Sequence, residues 1–158
     1  MSATPLQLPP PEANDSIQLC AFRLGDEEYV LDIMRIEEIL QPHPTTRVAG
    51  APEWVQGVIN LRGAIIPVVE LRKRLQSKGA PPPKLKPKFL VCRIGRRRVA
   101  LLVDGVTEVI RVGLDELKPA PGILSGGHAP FVLGVCGPPD RLRLLLDVKA
   151  TVAKEPER

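Results

Sequence analysis

The chain has 158 residues, enough for one domain with a substantial core or for two very small subdomains. Its 22 basic and 18 acidic residues leave a formal net charge of +4, which argues against a dedicated nucleic-acid binder. No stretch approaches the roughly 20 apolar residues of a membrane span, and Met1 to Asp15 has neither the basic start nor the apolar run of a signal peptide.

Residues 1–15 are Pro-rich, with Pro5, Pro9, Pro10 and Pro11, and show no periodicity; the composition predicts a disordered tail. From Ser16 the pattern alternates, with Ile17, Leu19 and Ala21 on one face and Gln18, Cys20 and Phe22 on the other. Gly25-Asp26 marks a hairpin turn, and a return strand is expected over Tyr29 to Ile33. Ile33 to Leu40 fits helical spacing and strand alternation equally, and Pro42 and Pro44 end it. A single helical turn after Pro52 is expected to set Trp54 against the core.

Two apolar strands then flank Asn60-Leu61-Arg62-Gly63, where Asn60 can bond its own backbone and Gly63 can take positive φ. Arg62 is thereby held at the tip of a hairpin, its planar fork suited to a partner's carboxylate or carbonyls; a charged turn residue also serves solubility alone. Pro67 cannot donate to a ladder, so its strand lies at an edge or bends there. Glu70 to Leu75 reads as a short helix with a basic outer face. Residues 76–88, with Pro81-Pro82-Pro83 and Pro87, read as an exposed loop or linker.

Strands resume over Phe89 to Ile94, turn at Gly95-Arg96 and return to Asp104, where Asp104-Gly105 is a further turn signal before Val106 to Val112. A turn of helix at Leu114 to Lys118, a Gly-rich loop at Ile123 to Ala129, a strand pair at Phe131 to Cys136 and Leu142 to Leu146, and a short helix over Asp147 to Ala153 complete the reading. Residues 153–158 are taken as a C-terminal tail. Phe22-Arg23-Leu24-Gly25 is echoed by Cys92-Arg93-Ile94-Gly95, Glu38 by Glu108, Gly57-Val58 by Gly134-Val135, and Val68-Val69-Glu70-Leu71 by Leu145-Leu146-Asp147-Val148. Such coincidences point to a duplicated unit too small to be stable alone. The pattern therefore predicts a mainly β protein of two small antiparallel barrels sharing a core, with a docking cleft between them and few short helices.

Catalytic groups are sparse. His43 lies between two prolines and His128 in the Gly-rich loop, neither with a Ser or Cys partner in a nucleophile motif. Gly126-Gly127-His128 lacks the strand-loop-helix context of a phosphate loop. Asp104 and Glu108 are explained as a strand-end turn residue and a surface charge. Cys20, Cys92 and Cys136 have no CxxC spacing, which predicts buried free thiols and no metal site. No cofactor is expected. The cluster Arg96-Arg97-Arg98, near Lys84, Lys86 and Lys88, keeps open a small nucleic-acid-binding barrel as the alternative, although only Phe89 is nearby for stacking.

Gly57-Val58-Ile59-Asn60-Leu61-Arg62-Gly63, followed by Ile65, Pro67-Val68 and Glu70-Leu71-Arg72, resembles the signature of the CheW family of bacterial chemotaxis adaptors. Leu24 to Tyr29, Asp32-Ile33, Glu38-Ile39, Val103-Asp104-Gly105-Val106, Pro119-Ala120-Pro121 and Asp140-Arg141-Leu142 are similar to further landmarks of that family in order, over about Ser16 to Val152. The resemblance implies a CheW-like domain over 16–152 built of two five-stranded SH3-like barrels, in a soluble cytoplasmic protein associated with receptor arrays. It implies a non-enzymatic scaffold that binds the regulatory domain of a CheA-type histidine kinase and the cytoplasmic tip of a chemoreceptor. The chain would be a monomer alone and assemble in arrays, without membrane insertion or nucleic acid. Ile33, Ile36, Glu38, Asn60, Leu61, Arg62 and Gly63 match family positions tied to partner contact, and Val103 and Val109 would line the opposite wall of the cleft. Gly57, Pro67 and Gly105 are expected to be structural. Gly137-Pro138-Pro139 and the Pro/Lys-rich 76–88 segment depart from the family pattern.

Overall fold

The computed structural model describes residues 15–119 and 131–153. The predicted tails at 1–15 and 153–158, except Asp15 and Ala153, lie outside them, as do the Gly-rich loop, His128 and Ala120-Pro121. Strands β1 (Ser16–Leu24) and β2 (Glu27–Asp32) form the first hairpin, turned at Gly25 with φ +58°. The return strand stops at Asp32 rather than Ile33, because the Asp32 carboxylate accepts from the Met34 amide at 2.9 Å and opens a 3₁₀ turn over Ile33–Arg35. β3 (Ile36–Leu40), β4 (Val55–Leu61), β5 (Ala64–Glu70) and helix α1 (Leu71–Arg74) follow. After Pro52 there is a hydrogen-bonded turn, Val55 N–H to Pro52 C=O at 2.9 Å, in place of a helix, and it sets Trp54 against the core as expected. The rest is β6 (Lys88–Ile94), β7 (Arg97–Val103), β8 (Gly105–Gly113), a 3₁₀ turn at Leu114–Glu116, β9 (Val132–Cys136), β10 (Arg143–Leu146) and α2 (Val148–Val152).

The strands form two five-stranded sheets, ordered β8-β1-β2-β10-β9 and β3-β6-β7-β5-β4. Substituting β1 for β6, β2 for β7, β8 for β3, β10 for β5 and β9 for β4 converts one order into the other, so the duplication is real in the topology. The halves do not each make a barrel, however. β3 of the first half lies on β6 of the second, and β8 of the second lies on β1 of the first. Asp104-Gly105 is accordingly no hairpin turn; it is where the chain leaves one sheet for the other. Nor are the sheets wholly antiparallel, since β10 runs parallel to β2 and β5 parallel to β7.

Three apolar cores explain the alternation. Leu19, Ala21, Val30, Cys136 and Leu145 fill the inside of the first sheet. Ile59, Leu61, Ile66, Val68, Phe89, Val91 and Ala100 fill the second. The opposite faces of the same strands, among them Phe22, Leu24, Tyr29, Leu31, Leu90, Cys92 and Leu101, meet in a core shared by both. Most strands are therefore apolar on both sides, each large side chain contributing about 1.5–3 kcal/mol by burial.

Close backbone approach fixes two of the structural residues. A Cβ on Gly57 would stand 2.4 Å from the Thr46 carbonyl oxygen, because Thr46 and Val58 exchange backbone bonds of 2.9 and 2.8 Å. A Cβ on Gly105 would meet Leu85, so residues 76–88 are no free linker: Leu85 covers the crossing point and Lys78 C=O accepts from the Asp26 amide at 2.9 Å. Pro67 pairs only with β4; the parallel pairing of β5 with β7 begins one residue later, at Val68, as the missing donor requires.

Several charges point inward. Asp104, expected as a turn residue, is buried and accepts from Gly25 N–H at 2.7 Å and from Arg72 Nη1 at 2.8 Å, latching the first hairpin to α1. Arg74, expected on a basic outer face, is also buried. Its guanidinium lies 4.0 Å over Trp54 and donates to the carbonyls of Thr151 at 2.7 Å and Ala153 at 2.8 Å, binding α1 to the end of α2. All three cysteines are free and buried, and burial raises each thiol, Cys92 to about 12. Among the described residues no helix is long and apolar enough to cross a membrane, and no group of three or more His, Cys, Asp or Glu gathers as a metal site.

Arg74→Ala is expected to lower unfolding free energy by about 2–3 kcal/mol, since two charged hydrogen bonds and the ring contact go together. Arg74→Lys will not restore it, because an ammonium lacks the fork that reaches both carbonyls; denaturant titration checks both. The Cys92 thiol keeps its proton in the fold up to about 12 but loses it near the ordinary 9.0 when unfolded. Stability is therefore expected to fall as pH rises from about 9 towards 12, and Cys92→Ala to flatten that slope despite costing stability at pH 7.

Candidate functional site

The hairpin tip is a two-residue turn: Leu61 faces Ala64 across the register, with Arg62 at φ +50° and Gly63 at φ +90°. Both central residues are left-handed, which matches the twist of the flanking strands and costs Arg62 roughly 1–2 kcal/mol. Asn60 offsets part of that strain, its Oδ1 accepting from the Gly63 amide at 2.9 Å. A space-filling neighbour is lacking around Gly63, where an added Cβ would meet nothing within 4 Å. The turn is thus held from within, and it projects Arg62 outward with 65% of its side chain exposed.

Arg62 Nη2 meets Glu38 Oε2. Glu38 sits on β3 and Arg62 beyond β4, the two outermost strands of the sheet order, so this contact exists only because the sheet curls and closes. Register slips between Ile36 and Glu38 on β6, a bulge that leaves Glu37 exposed; it bonds Arg93 Nε at 2.5 Å and lies 3.7 Å from Arg98 Nη1. Exposed apolar side chains lie near these residues in the chain: Ile39 follows Glu38 on β3, Ile65 comes three residues after Arg62 on β5, and Met34 stands in the 3₁₀ turn before β3.

The other sequence candidates divide. Ile33 is half-buried in the 3₁₀ turn, and Ile36 is half-buried against the shared core. Val109, on edge strand β8 of the other sheet, is 51% exposed. Leu61 and Val103 are corrections. Leu61 fills the core of the second barrel and Val103 the shared core, at 4% and 1% exposure, so neither offers a contact surface. Val103 to Val109 is also no continuous wall, because the chain changes sheets within it.

Sequence reasoning missed the first sheet's counterpart to Glu38–Arg62. Arg143 on β10 donates to Glu108 Oε2 on β8 at 2.9 Å and lies 3.1 Å from Glu28 Oε1, with Arg141 at 3.4 Å from the same carboxylate. Glu108 was expected to be a surface charge; it joins strands near opposite edges of its sheet. The signal available was an arginine set into the apolar run Leu142 to Leu146. A groove of about 490 Å³, bordered by β5, the β6–β7 tip and α2, begins at Ala64 and Ile65 next to the hairpin tip and includes Pro67 but none of the predicted contact residues.

The model of the CheW-like domain matches residues 18–155. Chemotaxis protein CheW of Rhizobium meliloti is 36% identical over 142 residues, covering 90% of this chain and 91% of that protein. Chemotaxis protein CheW of Helicobacter pylori is 34% identical over 145 residues, covering 91% and 87%. Among solved structures, the scaffolding protein TtCheW from Thermoanaerobacter tengcongensis superposes with a TM-score of 0.74 at 30% identity, covering 82% of this chain and 83% of that one. Paired five-stranded SH3-like barrels, a closed Glu38–Arg62 hairpin tip and a family match along nearly the whole described fold agree, and the chain belongs to the CheW-like family.

Proposed function

We propose that this protein is a non-enzymatic scaffold of a bacterial chemosensory array, joining a chemoreceptor's cytoplasmic tip to the regulatory domain of a CheA-type histidine kinase. Membership of a family whose relatives are chemotaxis and scaffolding proteins supports the adaptor role. The observation that carries the site is the Arg62 guanidinium, rigidly presented and largely exposed, with most of its donors available beyond the one on Glu38.

A receptor helix would lay an apolar face against Ile39, Ile65 and Met34 while Arg62 fixes its register by polar bonds. The exposed pair with Glu38 costs little to open, about 0–1 kcal/mol, so a partner carboxylate can replace it. Val109 and the first barrel present a separate surface for the kinase domain. Each contact is weak by itself, and assembly in an array supplies strength through multivalency.

Arg62→Ala is expected to weaken capture of the receptor cytoplasmic fragment at least 10-fold while thermal unfolding shifts by no more than the loss of a surface pair, about 1 kcal/mol. The swapped pair, Arg62→Glu with Glu38→Arg, restores closure of the barrel but not the donor at the tip, so it should bind as poorly as Arg62→Ala. Full receptor affinity in either variant removes Arg62 from the site.

A further inference from the structure

The repeat gives the two sheets equivalent hairpins, β1–β2 turned at Gly25-Asp26 and β6–β7 turned at Gly95-Arg96, with φ +58° and +61° at the glycines. The first tip is covered from within. Asp104 Oδ2 accepts from the Gly25 amide at 2.7 Å, the Lys78 carbonyl accepts from the Asp26 amide at 2.9 Å, and a Cβ on Gly25 would run into that carbonyl. The second tip has no such cover among the described residues. A Cβ added to Gly95 would meet nothing within 4 Å, and the Gly95 and Arg96 amides find no acceptor there. Counting along the repeat, Arg96 takes the place of Asp26, and Met34, 86% exposed, takes the place of Asp104. Where the first tip has a carboxylate of its own chain, the second has a thioether and a cation.

The groove of about 490 Å³ opens beside this tip, lined by Trp54, Pro67, Ile94 and Val152 as well as by Arg96 and Arg97. Arg98 lies near Glu37, but Arg96 and Arg97 are exposed and pair with no carboxylate among the described residues. We propose that the β6–β7 tip and its groove receive an extended acidic segment of another protein. Its carboxylates take Arg96, Arg97 and the two tip amides, as Asp104 takes the Gly25 amide in the first half, and a neighbouring apolar side chain lies against Trp54. An extended backbone suits the place, since residues 77–79, which cover the equivalent tip, are in neither helix nor strand. A nucleic-acid strand would want several rings to stack on, and Trp54 is the one aromatic side chain lining the groove. Neither Arg62 nor Glu38 lines it, so this site is separate from the receptor surface proposed above, although Ile65 borders both.

The probe is a capped peptide, Leu-Glu-Asp-Glu-Leu, with Leu-Gln-Asn-Gln-Leu as control, each added to the full chain. Trp54 is the only tryptophan, so its fluorescence reads the groove directly. The acidic peptide is expected to shift Trp54 emission and the Gly95 and Arg96 amide resonances, and at low salt to bind about 5-fold more tightly than the control, as two exposed pairs imply. Salt near 1 M should erase that difference. Arg96→Ala/Arg97→Ala should lose the same factor, whereas Arg62→Ala should leave the peptide's affinity unchanged. Arg96→Glu/Arg97→Glu should in turn prefer Leu-Lys-Arg-Lys-Leu. Equal affinity for the acidic peptide and its control overturns the proposal, as does a Trp54 and Gly95 that respond to neither. Slow exchange of the Gly95 and Arg96 amides before any peptide is added assigns the tip to another part of this chain and overturns it. Sedimentation as a dimer that Arg96→Glu/Arg97→Glu dissociates assigns the groove to a second copy, and tighter binding of oligothymidine than of the acidic peptide assigns it to nucleic acid; either result overturns the proposal.

Discussion

Each sheet is built from strands of both halves of the chain. β3, β4 and β5 of the first half join β6 and β7 of the second, and β8, β9 and β10 of the second join β1 and β2 of the first. A half by itself would leave the long edge of its first strand unpaired and one small core open, which no segment of this size tolerates. The exchange therefore makes the two barrels one cooperative body. Their outer surfaces keep a fixed relation, and a fixed relation between two surfaces is what a scaffold transmits.

Closure of the barrels falls to the same acidic position in both halves. Glu38 on β3 takes Arg62, and Glu108 on β8 takes Arg143, although the arginines come from different places in the repeat. Their energetics diverge with burial. Arg143 is 11% exposed and lies between Glu108 and Glu28, the latter itself 10% exposed, so losing Arg143 leaves Glu28 only the exposed Arg141 and the Thr107 hydroxyl. Arg62 stands in water and its bond to Glu38 is weak. One closure is half-buried within a network; the other lies in water and opens at little cost to the fold.

Local chemistry was legible and pairing was not. The Gly25 and Gly95 hairpins, the turn at Asn60 to Gly63 and the alternation along β1 are consequences of neighbours in sequence, and each was readable from a few residues. Alternation tells which side chains share a face; it does not say which strand lies alongside, so the mixing of the two halves within each sheet left no local trace. Asp104-Gly105 misled for the same reason, since a tight turn and a sheet crossing ask for similar residues. Leu61 and Val103 looked like contact positions, yet each lies on a buried face of its strand. Arg74 read as part of a basic outer face and Asp104 as a turn residue because their partners lie 77 and 32 or more residues away.

The repeat also explains why the two ends of the molecule are unlike. In the first half β4 and β5 are joined by two residues, and the tightness of that turn is what holds Arg62 out. The matching connection between β9 and β10 is Gly137 to Leu142, with Gly137 at φ +101° and Arg141 N–H bonded to Pro138 C=O at 2.9 Å. Prolines at 138 and 139 stiffen this longer loop, which carries Arg141 with 63% of its side chain exposed against 65% for Arg62. Each barrel thus shows a guanidinium at this end, but one stands on a two-residue turn beside Glu38 and the other on a proline-stiffened loop beside Glu28, so duplication has left the two tips unlike in geometry.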